Sequence, residues 1–251
     1  MHSLDIFSLQ WFLALAAVLI AALVRGTAGF GLALVLTPIL LFILEPKSVV
    51  VVSLILGVLS HIMVLGSSFR GLDLRRILSM IAGSLMGIPL GVLVITAISP
   101  SALKVLIGAV IVFFAVPLAI GFSRTFQREK PIAVVAGFLS GVLNSSTSLG
   151  GPPVVLFMHN QKWPKEVIHP SLAAYFLVAS LFTLLGLFIA GLVDIPLVVT
   201  AVSLAPAMLV GVGIGMLAFR KINEHFFRML SIAIVFCSGI LAILSGLGIF
   251  H

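Results

Sequence analysis

Three stretches of this chain carry residue types that can do chemistry, and the chemistry they suit is anion recognition. The longest is Leu143-Asn144-Ser145-Ser146-Thr147-Ser148-Leu149-Gly150-Gly151-Pro152-Pro153, a run of small polar residues followed by a glycine pair and a proline pair. Its side chains can donate hydrogen bonds to an oxyanion. The second is Arg25-Gly26-Thr27-Ala28-Gly29-Phe30-Gly31, where a guanidinium with bidentate geometry stands beside glycines. Gly29, Gly31, Gly150 and Gly151 would let a ligand approach the backbone closely. The third is His61, alone in an apolar segment, a candidate proton site because histidine titrates near neutral pH.

Each group has a plainer reading beside the functional one. Arg25 could end a crossing helix and snorkel to the interface. The polar run could do no more than satisfy backbone groups freed at a helix break. The glycines could serve packing. His61, like His159, could be a hydrogen-bonded core histidine, and Tyr175 an interfacial anchor. Bond-making chemistry is poorly served. Asp5, Glu45, Asp73, Glu129, Glu166, Asp194 and Glu224 all fall in loops or at segment ends, so no carboxylate stands in mid-membrane. His61 and His159 share no metal-ligand spacing, and Ser145 has no evident base. An enzyme, a metal and a cofactor are therefore not expected. Cys237, the single cysteine, excludes an internal disulfide and reads as a packing residue.

Composition sets the elements that must position these residues. The chain has 251 residues, 61% of them hydrophobic and only 8% charged. A soluble domain carries about 25% charged residues, so this is a polytopic membrane protein. The net charge of +7 then reflects loop bias rather than nucleic-acid binding, since no basic stretch interleaves aromatics. The first eight residues contain Asp5 and no Lys or Arg, so a cleavable leader is not expected.

Apolar segments run over 9–24, 28–44, 48–66, 76–97, 101–121, 131–143, 149–159, 169–190, 196–218 and 227–250. About 20 residues are needed to span the hydrocarbon, which six reach: 48–66, 76–97, 101–121, 169–190, 196–218 and 227–250. The pair 131–143 and 149–159 is too short, and Asn144–Ser148 with its glycines and prolines is not expected to continue a helix through lipid. It reads as a broken helix. Pro152 and Pro153 suit the first turn of the second half, whose N-terminus offers free N–H groups and a positive dipole end to an anion. The pair 9–24 and 28–44, meeting at Arg25–Gly31, is the counterpart, although each member could nearly span.

An internal repeat supports that pairing. Glu45-Pro46-Lys47 matches Trp163-Pro164-Lys165 at a spacing of 118, and Gly83, Gly87 and Gly91 match Ala207, Gly211 and Gly215 at 124. Taking each break as a hairpin puts Arg70, Arg75, Arg76, Arg124, Arg128, Lys130, Lys162, Lys165, Arg220, Lys221 and Arg228 on one side. Only Lys47 and Lys104 fall on the other. By the positive-inside rule the first side is cytoplasmic and both termini lie outside. Each half then crosses an odd number of times, so the halves are inverted, a common plan of secondary transporters with a midplane site.

The two glycine-bearing stretches, with Gly150-Gly151-Pro152-Pro153 in polar context and a break opening each half, resemble the sulfite exporter TauE/SafE family of bacterial membrane proteins. The resemblance covers nearly the whole chain. It implies a sulfite or small organosulfur anion as substrate, export as the direction, and the bacterial inner membrane as the location. The expectation is thus an all-α polytopic membrane protein of two inverted repeats, 1–122 and 123–251. Each has a broken or re-entrant helix pair followed by three transmembrane helices. Arg25, Gly29, Gly31, Asn144, Ser145, Ser146, Thr147, Ser148, Gly150 and Gly151 are the expected substrate-binding residues. The partners are the small anion and the bilayer, and no nucleic acid. A proton-coupled importer of the same anions and a passive anion channel stand as alternatives.

Overall fold

The computed structural model describes residues 8–28, 31–67, 69–120, 129–218, 236 and 239–248, and every regular element among them is helical. The helices are α1 (Leu9–Ala28), α2 (Leu32–Leu40), α3 (Pro46–Ser67), α4 (Leu74–Ala97), α5 (Pro100–Ile120), α6 (Glu129–Thr147), α7 (Gly151–Asn160), α8 (Lys165–Ile189) and α9 (Ile195–Ala218). A further helical stretch covers residues 239–246. Prolines open α3 and α5, where a missing N–H costs nothing. Asp73 Oδ1 caps α4 by accepting from Arg76 N at 3.3 Å, and Asp194 Oδ1 accepts from Leu197 N at 2.9 Å at the start of α9.

Five helical spans are long and apolar enough to cross a bilayer: Leu9–Thr27, Pro46–Ser67, Leu74–Ala97, Glu166–Ile189 and Ile195–Leu217. Four of them match full-length segments expected from sequence. Segment 101–121 forms α5, and 227–250 lies largely outside the described residues, as do Gly29, Cys237 and the proposed boundary at 122/123.

Both broken pairs differ from expectation in the same way. Asn144 to Thr147 do not interrupt α6; they are its last turn. Ser145, Ser146 and Thr147 each return their hydroxyl to the carbonyl four residues back, Gly141, Val142 and Leu143, at 2.7 Å. Such back-bonding hides the hydroxyls and lets polar residues stay helical in a dry interior. The break is confined to Ser148–Gly150, with Ser148 in the left-handed region at φ 61°. In the first half α1 likewise runs on through Arg25 to Ala28, and α2 starts after Gly31, whose φ of 98° calls for glycine. The arms are 20 and 9 residues in one pair and 19 and 10 in the other. The long arms therefore measure about 28–30 Å and the short arms about 14–15 Å.

Glycine seams lock each long arm to the opposite half of the chain. A methyl group on Gly83, Gly87 or Gly91 of α4 would run into α6 at Val134, Phe138 and Val142, and one on Gly137 or Gly141 would meet α4 at Met80 and Ser84. On the other side, Gly211 meets Leu19 and Ala22 of α1, and Gly215 meets Leu23 and Gly26. Both pairs run parallel, because contact positions rise together along the two helices. The seams are also in one register: Gly87 against Phe138 and Gly91 against Val142 and Ser145 correspond to Gly211 against Leu19 and Gly215 against Leu23 and Gly26. The α6 and α1 positions differ by 119 each time (138 and 19, 142 and 23, 145 and 26), and the glycines by 124.

α3 lies at the centre, with Val49, Val50, Val51, Val52 and Leu56 fully buried. It packs antiparallel to α8: His61 faces Phe176, while Gly71, just beyond α3, faces Glu166 and Pro170 near the start of α8.

Candidate functional site

A cavity of about 60 Å³ opens where the two breaks meet α3 and α8. That is room for a handful of waters at about 10–15 Å³ each. Arg25 closes one side of it. Its guanidinium lies three residues before the end of α1 and only 2% of the residue is exposed, so it does not snorkel. Arg25 Nε donates to Ser60 Oγ at 3.3 Å, and Nη2 lies 2.8 Å from His61 Nδ1. The His61 ring in turn stacks on Phe176 of α8, with centroids 5.6 Å apart and planes 22° from parallel.

Both short-arm N-termini reach the cavity. Gly31, Leu32 and Ala33 line it from α2, and Gly151 from α7; neither helix start has a side-chain cap. The first N–H groups of a helix have no partner within it, so these ends supply donors and the positive end of the dipole. Pro152 and Pro153 carry no N–H, which leaves α7 poorer in donors than α2. Gly151 is open in a telling way: a methyl group there would meet nothing within 4 Å. Its lack of a side chain keeps space free rather than serving helix packing.

Of the residues singled out from sequence, the cavity brings together Arg25, Gly31, Asn144, Ser148, Gly151 and His61. Asn144 Nδ2 donates to Thr183 Oγ1 at 3.2 Å, and the Ser148 hydroxyl pairs with that of Thr37 at 2.9 Å, joining the second break to α2. Ser145 does not line the cavity. It turns toward α4, bonding the carbonyl of Ile88 at 3.1 Å as well as that of Gly141. Ser146 and Thr147 are absent from the lining too, their hydroxyls returned to the α6 backbone. Gly150 is a packing glycine: a Cβ there would lie 2.7 Å from Ser140 O and from Asn144 Cβ. Its carbonyl accepts from Ser140 Oγ at 2.6 Å. Tyr175 is no interfacial anchor, being fully buried with its hydroxyl 3.5 Å from Gly137 O.

Sequence reasoning missed the walls supplied by α3 and α8, Ser53, Gly57, Phe176 and Ser180. A signal was there to find. Ser53, Gly57, Ser60 and His61 fall on one face of α3 at helical spacing, as do Phe176, Ser180 and Thr183 on α8.

Membrane-length helices, small-residue seams and a cavity lined by buried polar side chains between two helix breaks define a multi-pass membrane protein. The profile of the sulfite exporter TauE/SafE family matches residues 13–242, nearly the whole chain, and the chain belongs to that family, which is one of transporters. No curated protein matches the chain, and no solved structure does.

Proposed function

We propose that the protein is a secondary transporter of the bacterial inner membrane that exports a compact anion, sulfite or a small organosulfur anion, by alternating access at the cavity between the two breaks. The observation that carries this reading is the convergence of the buried Arg25 guanidinium and the uncapped N-termini of α2 and α7 on one small cavity. An anion there would meet a positive charge from the first half and backbone donors from both. Arg25, Gly31, Asn144, Ser148 and Gly151 are the residues assigned to binding, and the family supplies the substrate class.

We also infer that the halves are inverted repeats. Support comes from helix directions. α1 runs parallel to α9, and α9 to α3, where Met63 and Ser67 meet Gly213 and Met216. α6 runs parallel to α4, and α4 to α8, where Asp73 meets Ser171 and Val92 meets Gly186. Because α3 and α8 oppose each other, α1 opposes α6, its counterpart in the shared register. With the charge distribution, these directions support both termini lying outside.

The test is a proteoliposome loaded with sulfite, with a potassium diffusion potential imposed. Efflux that accelerates with a negative interior and persists when the pH gradient is collapsed supports uncoupled export. Flux that ignores voltage and stops without a pH gradient would overturn it.

A further inference from the structure

We infer that His61 is a positioning residue: its Nδ1 accepts from the Arg25 guanidinium and sets the plane in which that group meets the anion. The inference rests on the reading of Arg25 as the anion's partner. Arginine has five N–H donors and no acceptor, so the 2.8 Å contact between Arg25 Nη2 and His61 Nδ1 allows one assignment. Arg25 donates, Nδ1 accepts, and the ring's own hydrogen sits on Nε2. Ser60, the preceding residue on α3, accepts from Nε at 3.3 Å. Two contacts, one at Nε and one at Nη2, fix the orientation of this planar group, which the long, flexible arm of arginine does not do for itself.

The ring is itself held. Phe176 stacks on its face from α8, an element of the other half, so the guanidinium on α1 is oriented through α3 by a side chain of α8. Arg25, His61 and Phe176 all line the cavity. Among the described residues, Arg25 is the one charged group that shares the cavity with the ring; the polar side chains there are Ser53 from α3, Asn144 from α6, Ser148 from the second break and Ser180 from α8, while Tyr175 directs its hydroxyl to Gly137 O. With Nδ1 engaged, a proton can enter there only if Arg25 moves away. His61 thus serves as an acceptor for Arg25 rather than as a proton carrier.

The atom involved makes the test specific. Asparagine at 61 places its Oδ1 near the position of Nδ1, whereas glutamine reaches toward that of Nε2 and leucine offers no acceptor. Sulfite affinity is measured by calorimetry on the full chain in detergent for H61N, H61Q, H61L and R25A, with chromatography and thermal unfolding to confirm folding. H61L and H61Q are expected to weaken binding about ten- to a hundredfold, the range of a hydrogen bond to a charged group, and H61N to recover most of it. Leucine binding like wild type, glutamine recovering where asparagine does not, or equal loss in all three would overturn the inference. Unchanged affinity in R25A would instead remove the site reading itself. Independently of any variant's affinity, the wild-type ¹⁵N-histidine spectrum should show His61 as the Nε2–H tautomer; an Nδ1–H or doubly protonated ring overturns the inference.

Discussion

At the scale of single residues, the proposed site rests on one guanidinium and one empty space. Arg25→Ala should cut sulfite affinity about a hundredfold or more, since charged hydrogen bonds contribute about 1.5–3 kcal/mol each. Arg25→Lys should recover little, because an ammonium lacks the planar fork that Ser60 and His61 hold. Equal affinity in wild type and R25A, read by calorimetry, removes Arg25 from the site. Gly151→Val should abolish binding while leaving the melting temperature unchanged, because the new side chain enters open space rather than a neighbour. A variant that loses stability instead would make Gly151 a packing residue. Arg25 and Gly151 were legible from residue type. The plainer reading of Ser146 and Thr147 prevailed because a hydroxyl in a helix without water returns to its own backbone.

At the scale of elements, stability concentrates in the two glycine seams. Gly87→Val and Gly141→Val should destabilise the protein by about 1–3 kcal/mol or more, because the added atoms meet backbone, which cannot step aside. Gly66→Ala is the control, since a methyl group there meets nothing within 4 Å, and it should hold or slightly raise the melting temperature. Thermal unfolding in detergent separates the cases. The seam was partly visible as small residues at every fourth position. Its partners were not, because spacing along one helix does not name the helix it meets. The lengths of α1 and α6 were underestimated, since polarity was read as interruption where back-bonding allows a helix to continue.

Across the whole molecule, the charge distribution predicts topology and the membrane potential predicts direction. A fluorescent protein that matures only in the cytoplasm, fused after His251, should stay dark in an inserted, folded fusion; bright cells would contradict inverted repeats. Export of a monoanion needs no coupled ion, since one charge gains about 2.3 kcal/mol per 100 mV on crossing a negative-inside membrane. That corresponds to about fiftyfold accumulation outside. A sulfite gradient that settles at the imposed potential in proteoliposomes is the expected outcome, and one tracking the pH gradient contradicts it.

Composition determined that this chain is a membrane protein, because 8% charged residues leave no surface for water, and the length of its apolar segments made it helical. The Gly150-Gly151-Pro152-Pro153 run in its polar context, with the Arg25–Gly31 stretch and a break opening each half, pointed to the family. Only the tertiary structure decided which polar residues share a cavity and which hide. A helix spreads consecutive residues around its axis, so Asn144 and Ser148 reach the cavity while Ser145 meets α4 and Ser146 and Thr147 bond their own backbone. The Arg25–His61–Phe176 chain was likewise closed to sequence, since its members come from α1, α3 and α8 and meet only when the antiparallel packing of α3 on α8 aligns them.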